Sequence, residues 1–258
     1  MRKGLGHHLL QAIASAKAGA IAAEIKKSTV NEYTQVIKAY EYLQENTKYD
    51  HQELLNVTKG KAARPNAHNA YGALVEGLAV CSGLSEAFAL LAQKLGFECM
   101  IVSGRSLHRT IGISEHAWNI IKVKNRHYHM DVTWDTNQYA EIKTHSYDYF
   151  ALDDEEISRD HDWDISTTPA CSFNDLSYYF KSSLYANTKD HLTDILRAGS
   201  KNRHKPVRVK LSFNISLPQE AGGYIAEILL NEAVKTGASA QVTYSWNEHT
   251  RCFFAKFK

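Results

Sequence analysis

One amphipathic helix followed directly by three strand-like runs constrains this chain more than any other feature. Leu84, Phe88, Leu91 and Leu95 recur at three and four along CSGLSEAFALLAQKLG, marking one apolar helix face, and Gly96 ends the run. CMIVSG, AWNIIKV and HYHMDVTW follow, the last two joined by the turn signal KNRH. A helix feeding strands connected by a tight turn predicts an α+β fold, with the helix packed on an antiparallel sheet.

Upstream, Tyr33, Val36, Ile37, Tyr40 and Leu43 predict a helix from Ser28 to about Asn46, capped by Ser28 or Asn31. KGKAARPNAHNAYG then reads as loop. Downstream, the acidic segment YDYFALDDEEISRDHDWD also reads as loop and closes a first unit near Thr168. After Pro169 come a helix capped by Thr188, a basic linker SKNRHKP and the alternating strand VRVKLSFNI. A helix over 219–235 and a hairpin around Asn247 complete the chain. The expected organisation is an N-terminal segment (1–27), a core (28–168) and a small α/β appendage (169–258). The N-terminal segment has two readings: an export signal, or a helix with Leu9, Ile13 and Ile21 on one face. Lys17, interrupting the apolar run, favours the helix.

The chain has 258 residues and a formal charge of only +2, which argues against a dedicated nucleic-acid surface. From Arg197 to Lys258, however, ten Lys or Arg face four Glu. That basic region is a solvated face or a contact for an acidic polymer. No run is long and apolar enough for a membrane span. Cys81, Cys99, Cys171 and Cys252 form no CxxC pair, so neither a zinc clip nor a disulfide framework is expected. His127 and His129 flank Tyr128 with no carboxylate at ligand spacing, so no metal and no cofactor are expected.

Cys81 stands at the mouth of the amphipathic helix, where unsatisfied N–H groups and the positive dipole end favour a thiolate. His116 begins a strand that carries Trp118 and Ile120 on the same face. Asp131, Thr133 and Asp135 share a face of the returning strand. A thiol, an imidazole and a carboxylate are the parts of a nucleophilic acyl-transfer site. Strand register leaves the carboxylate open. A turn at Asn125-Arg126 sets Asp135 opposite His116, whereas a turn at Lys124-Asn125 sets Thr133 there. Asp131 reaches His116 only with twist or a bulge. The backbone N–H of Cys81 is a natural oxyanion donor, with Asn69 or Tyr71 as the second. Trp118 and Trp134 read as core or as walls of an acyl slot, and Arg105, Arg109 and Glu115 as candidates for the cleft mouth.

The segments CSG, His116-Ala117-Trp118-Asn119 and Tyr128-His129-Met130-Asp131-Val132-Thr133-Trp134-Asp135 together resemble the transglutaminase-like superfamily, especially bacterial members with a papain-like core. The likeness spans roughly Tyr33 to Trp163 and does not extend well into the appendage. It implies a Cys81–His116–Asp131 triad, because the first aspartate of the last motif is the family's triad member. It implies also a thioester formed from a protein glutamine and resolved by a lysine or other amine, or by water. A secreted or cell-surface bacterial protein fits the resemblance, although a cytoplasmic one fits the lack of a clear signal. Two other readings stand beside it: a cysteine peptidase or amidase with the same triad, and a scaffold with no turnover. Calcium dependence is not expected, because no ligand cluster is visible.

Overall fold

The run at 81–95 forms the helix on which the first unit is built, as its apolar period requires. The computed structural model describes residues 2–61, 64–108, 112–235 and 240–258. They fold as two units, Met1–Asn174 and Asp175–Lys258.

The first unit opens with α1 (Arg2–Ser28), α2 (Glu32–Asn46), β1 (Lys48–Tyr49) and α3 (His51–Thr58). The stretch read from sequence as loop carries a 3₁₀ turn (Pro65–His68) and runs into a π-helical turn (Gly72–Glu76); then come β2 (Leu78–Ala79), α4 (Cys81–Leu95), β3 (Cys99–His108), β4 (Gly112–Val123) and β5 (Arg126–Met130). The unit closes with α5 (Val132–Ile142), β6 (Phe150–Leu152), α6 (Asp154–Ile157) and β7 (His161–Asp162). An antiparallel sheet in the order β6-β5-β4-β3-β7 carries α4 against β3 and β4, with α1, α2 and α5 packed around that helix. The chain is therefore α+β. Asn31 caps α2, accepting from Thr34 N at 3.0 Å. From α2, Tyr40 sets its ring edge-on to Phe88 and Phe150, tying helices to sheet.

Three expectations need correction. Leu9 and Ile13 are exposed, and the buried face of α1 is instead Ala14, Ala18, Ala22 and Ile25. Small side chains at this spacing let the backbones of α1 and α4 approach closely, a face that a search for large apolar residues passes over. Second, the strand carrying Asp131 stops at Met130. Asp131 caps α5, accepting from Thr133 N and Trp134 N, so Thr133 and Asp135 lie on a helix and not on a strand face. The β-branched pair Val132-Thr133 gave the strand reading, and the capping carboxylate overrides it. Third, the acidic segment is not all loop. It supplies two short edge strands, β6 on β5 and β7 on β3.

The hairpin turns at Lys124-Asn125, both with positive φ, the geometry that suits the twist of flanking strands. Of the two registers weighed from sequence, this is the one that would set Thr133 opposite His116.

The second unit contains α7 (Tyr178–Lys181), β8 (Tyr185–Ala186), α8 (Lys189–Ser200), β9 (Val207–Leu211), α9 (Ala221–Val234), β10 (Val242–Asn247) and β11 (Cys252–Phe257). Its sheet runs β10-β11-β9-β8, with only β8 and β9 parallel because α8 crosses between them. Leu192, Leu196, Val209, Ile225, Leu229 and Phe253 fill its core. Thr188 caps α8 as its position before KDHL implies.

Candidate active site

Cys81 is the first residue of α4, and its N-cap, Val80, offers no side-chain acceptor. The free N–H groups and dipole of this helix end therefore face the thiol. Gly83 keeps the approach tight, since a Cβ there would lie 2.5 Å from the Ala67 carbonyl. His116 enters from β4. Two buried hydrogen bonds clamp that strand to the helix: Ser85 Oγ donates to Ala117 O at 2.9 Å, and Asn119 Nδ2 donates to Ser85 O at 3.0 Å. Replacing Asn119 by leucine leaves the Ser85 carbonyl without this donor and should cost about 2 kcal/mol of stability. Urea unfolding measures it, and an unchanged midpoint would show that the clamp contributes nothing.

The sulfur faces His116 and the Ala117 backbone, and both favour its thiolate. On its far side, His116 Nε2 donates to Asp131 Oδ2 at 2.7 Å, with both side chains buried. Asp131 is held in turn by α5, whose Thr133 and Trp134 amides donate to its Oδ1, and by Tyr40, whose hydroxyl donates to its carbonyl at 2.8 Å. Asp135 faces away from His116. It accepts from Tyr40 and Ser146 side chains and from the amides of Asp148 and Tyr149, which makes it a structural anchor. Of the two aspartates left open by register, Asp131 is the one bonded to His116.

The electrostatics follow from this chain of bonds. Burial pushes the Cys81 thiol up, but the hydrogen bond and charge of His116 outweigh it, and the net pKa is lowered. Burial disfavours charge on His116, yet Asp131 and Cys81 together raise it to about 10. Asp131 is held well below the usual carboxylate range: burial opposes its charge, and His116 and then His161 overcome that penalty. Burial and the neighbouring Asp148 push Asp135 up to about 7. Burial likewise moves Cys99 to about 12, the opposite direction from Cys81.

Three residues beside this chain went unnoticed in the sequence. His161, on β7, donates to Asp131 Oδ2 at 3.1 Å. Tyr49 is mostly buried, and its phenol is raised first by burial and then by the charge of Cys81. His68 stands 3.4 Å from Ser82 Oγ and bonds the buried Glu53 at 2.9 Å. Each lies on a two-residue strand or a single 3₁₀ turn, too short for any period to show. Asn69 and Tyr71 are placed differently from the oxyanion expectation. Asn69 Oδ1 accepts from the amides of Tyr71 and Gly72, and both residues line a cavity shared with Leu10, Ala14 and Leu90.

Trp118 is fully buried, stacked beside His116, so it supports the imidazole and cannot wall an open slot. Trp134 is only partly buried, 6.2 Å from the His116 ring. Arg105 pairs with Asp162, Glu115 is exposed, and Arg109 lies outside the described residues.

His129 does have a carboxylate neighbour, brought from α6. Together with Asp154 and Cys171 it places a nitrogen, an oxygen and a sulfur within 4.8 Å of one another. Trp118 Nε1 donates to His129 Nδ1 at 3.0 Å, which forces the proton onto Nε2, and Nε2 then donates to Asp154. A metal on Nε2 would need that proton moved to Nδ1, against the indole N–H. The cluster fits a hydrogen-bonded core. Burial supports the neutral ring, lowering its pKa to about 4.

Residues 19–132, from α1 to the start of α5, match the Transglutaminase-like superfamily. The chain carries a transglutaminase-like domain. That domain contains Cys81, His116 and Asp131, and β6, β7 and the second unit lie outside the matched span. Among solved structures, a protein described as a TGase is 16% identical, with a TM-score of 0.41, over 47% of this chain and 31% of its own. A cysteine-protease candidate from Cytophaga hutchinsonii is 17% identical, with a TM-score of 0.36, over 46% of this chain and 37% of its own. The chain thus spans well under half the length of either structure. No curated protein sequence matches. Among the described residues, no helix is long and apolar enough to cross a membrane.

Proposed function

We propose that the transglutaminase-like domain is a cysteine acyltransferase acting on protein glutamine through Cys81, His116 and Asp131. The thiol at a helix N-terminus, beside a buried imidazole that is itself hydrogen-bonded to a buried carboxylate, carries this reading. In the cycle, the Cys81 thiolate attacks the side-chain amide carbonyl and the new oxyanion forms beside the start of α4. The backbone N–H of Cys81 is one donor to it, and the Tyr49 phenol, whose pKa the charge of Cys81 helps to raise, is the candidate for the second. The C–N bond breaks as His116 gives its Nδ1 proton to the leaving nitrogen, so ammonia departs and a thioester remains. An amine then attacks the thioester. Its proton returns through His116 to the sulfur, giving an isopeptide bond and the free thiol. Water in place of the amine gives deamidation, or peptide hydrolysis where a main-chain amide was attacked.

Incorporation of a tagged primary amine into a glutamine-rich acceptor protein separates these outcomes. The expected result is Cys81-dependent labelling that grows with amine concentration while ammonia release continues. Hydrolysis with no label at saturating amine would replace the acyltransferase with a hydrolase of the same triad. Neither label nor hydrolysis, in a folded protein, would leave the scaffold reading.

A further inference from the structure

Asp131 does not serve His116 alone. Its Oδ2 accepts from two imidazoles, His116 Nε2 at 2.7 Å and His161 Nε2 at 3.1 Å. The second nitrogen of His161 donates to Asp160 Oδ1 at 2.6 Å, and Tyr149 donates its hydroxyl to Asp160 Oδ2 at 2.5 Å. A neutral imidazole has one N–H, so a carboxylate on each nitrogen is satisfied only by the imidazolium. Burial disfavours that charge, but the bonds to Asp131 and Asp160 prevail and the His161 pKa is raised. The two rings lie 5.4 Å apart, with Trp134 against both. The backbone is built to deliver this residue: β7 pairs Ser106 with His161, and a Cβ on Gly104 would lie 2.4 Å from the Asp162 carbonyl. Any other residue at 104 would push β7, and His161 with it, away from Asp131.

We propose that His161 is a positioning residue of the acyl-transfer site. Held as an imidazolium between Asp131 and Asp160, it takes a share of Asp131 Oδ2 and repels the cation on His116, so His116 releases its proton more readily than it would beside an undivided aspartate. The inference rests on the reading of Cys81, His116 and Asp131 given above. No covalent step is added. The mobile proton is the one that passes from sulfur to His116 Nδ1 and on to the leaving nitrogen, while His161 keeps both of its own. The gain is chemical: an imidazolium bound too tightly by its carboxylate is a poor general acid.

The groups that set the balance come from every neighbouring element. His116 faces Cys81 from α4, Asp131 at the head of α5 and His161 on β7. Facing His161 are Asp131, Asp160, His116 and Tyr149, with His129 beyond. A cavity of about 180 Å³ also reaches His161 and Asp160, and Arg105, Arg159 and Asp162 line it.

The test is a histidine ¹⁵N NMR titration of the full chain, wild type against His161→Gln, which keeps a neutral donor to Asp131. In the wild type, His161 should carry protons on both nitrogens at neutral pH. In His161→Gln, the His116 pKa should rise by about one pH unit, the effect of removing one cation at this distance in a partly screened interior. The alkaline limb of kcat/KM for an amide substrate should move upward with it, and kcat should fall about tenfold. Asp160→Asn, which frees one side of His161, should act in the same direction by less. It carries the test if the glutamine variant does not fold. A neutral His161 at pH 7, or a His116 pKa that stays put or falls in the folded variants, overturns the proposal. If the NMR shifts appear but no acyl transfer or hydrolysis can be detected, the network stands and the acyl-transfer reading is what fails.

Discussion

Cys81→Ala is expected to reduce turnover of an amide substrate by at least about 10⁴-fold while changing stability by no more than about 1 kcal/mol. Sulfur is the atom that forms the bond, and nothing else at the start of α4 can take its place. Ser82, the next residue, points its hydroxyl toward His68 and not His116. Alanine keeps the helix start intact and removes only the sulfur beside His116, whose link to Asp131 persists. The small stability effect matters as much as the large kinetic one. A variant that is inactive because it is unfolded would say nothing about the nucleophile. Thermal unfolding of the two proteins under the same conditions makes the distinction, and retention of more than about a tenth of the activity would remove Cys81 from the mechanism.

Asp131→Asn should be costly in both respects. The carboxylate divides its work: Oδ1 accepts from the Thr133 and Trp134 amides, and Oδ2 from the two imidazoles. Asparagine has a single acceptor oxygen. Whichever way its amide is turned, either the head of α5 or the histidine pair loses its acceptor and meets an N–H instead. Uncompensated cations in this buried place should cost about 3–5 kcal/mol, and the rate should fall about 10³–10⁴-fold through the loss of an oriented, charged His116. The pH dependence carries a sign as well. His116 has its pKa raised to about 10, so its contribution to stability is complete below the ordinary histidine value and fades as pH climbs toward 10. Asp131 is lowered, so its contribution is present above the ordinary carboxylate value and lost as pH falls below it. The wild-type unfolding temperature should therefore drop on both sides of a plateau between about pH 4 and 6.5. In Asp131→Asn both slopes should flatten, and slopes unchanged from wild type would place the pH dependence elsewhere.

The residues of the candidate site were more legible in the sequence than its architecture. Cys81 could be read because the helix behind it is long and strongly periodic. His116 could be read because it shares one face of a strand-like run with Trp118 and Ile120. Asp131 was legible only through its motif, since spacing left Asp135 equal to it. The reason is now physical: the residue is a helix cap, and strand registers do not apply beyond Met130. What escaped notice is carried by pieces too short to have a period. Tyr49 and His161 each sit on a two-residue strand, and His68 on a single 3₁₀ turn. Their positions come from pairing with distant segments, such as Ser106 with His161, which no local pattern announces. The α1 face failed in the opposite way: its alanines are locally visible but look unremarkable until a second helix is laid against them.

The most direct test of the account is the mass of the intact protein, acid-quenched during turnover of a glutamine-containing peptide without added amine. The account requires an adduct equal to the peptide minus ammonia, on Cys81, released by hydroxylamine and absent from Cys81→Ala. Turnover with no such adduct, or with the adduct on another residue, would contradict it.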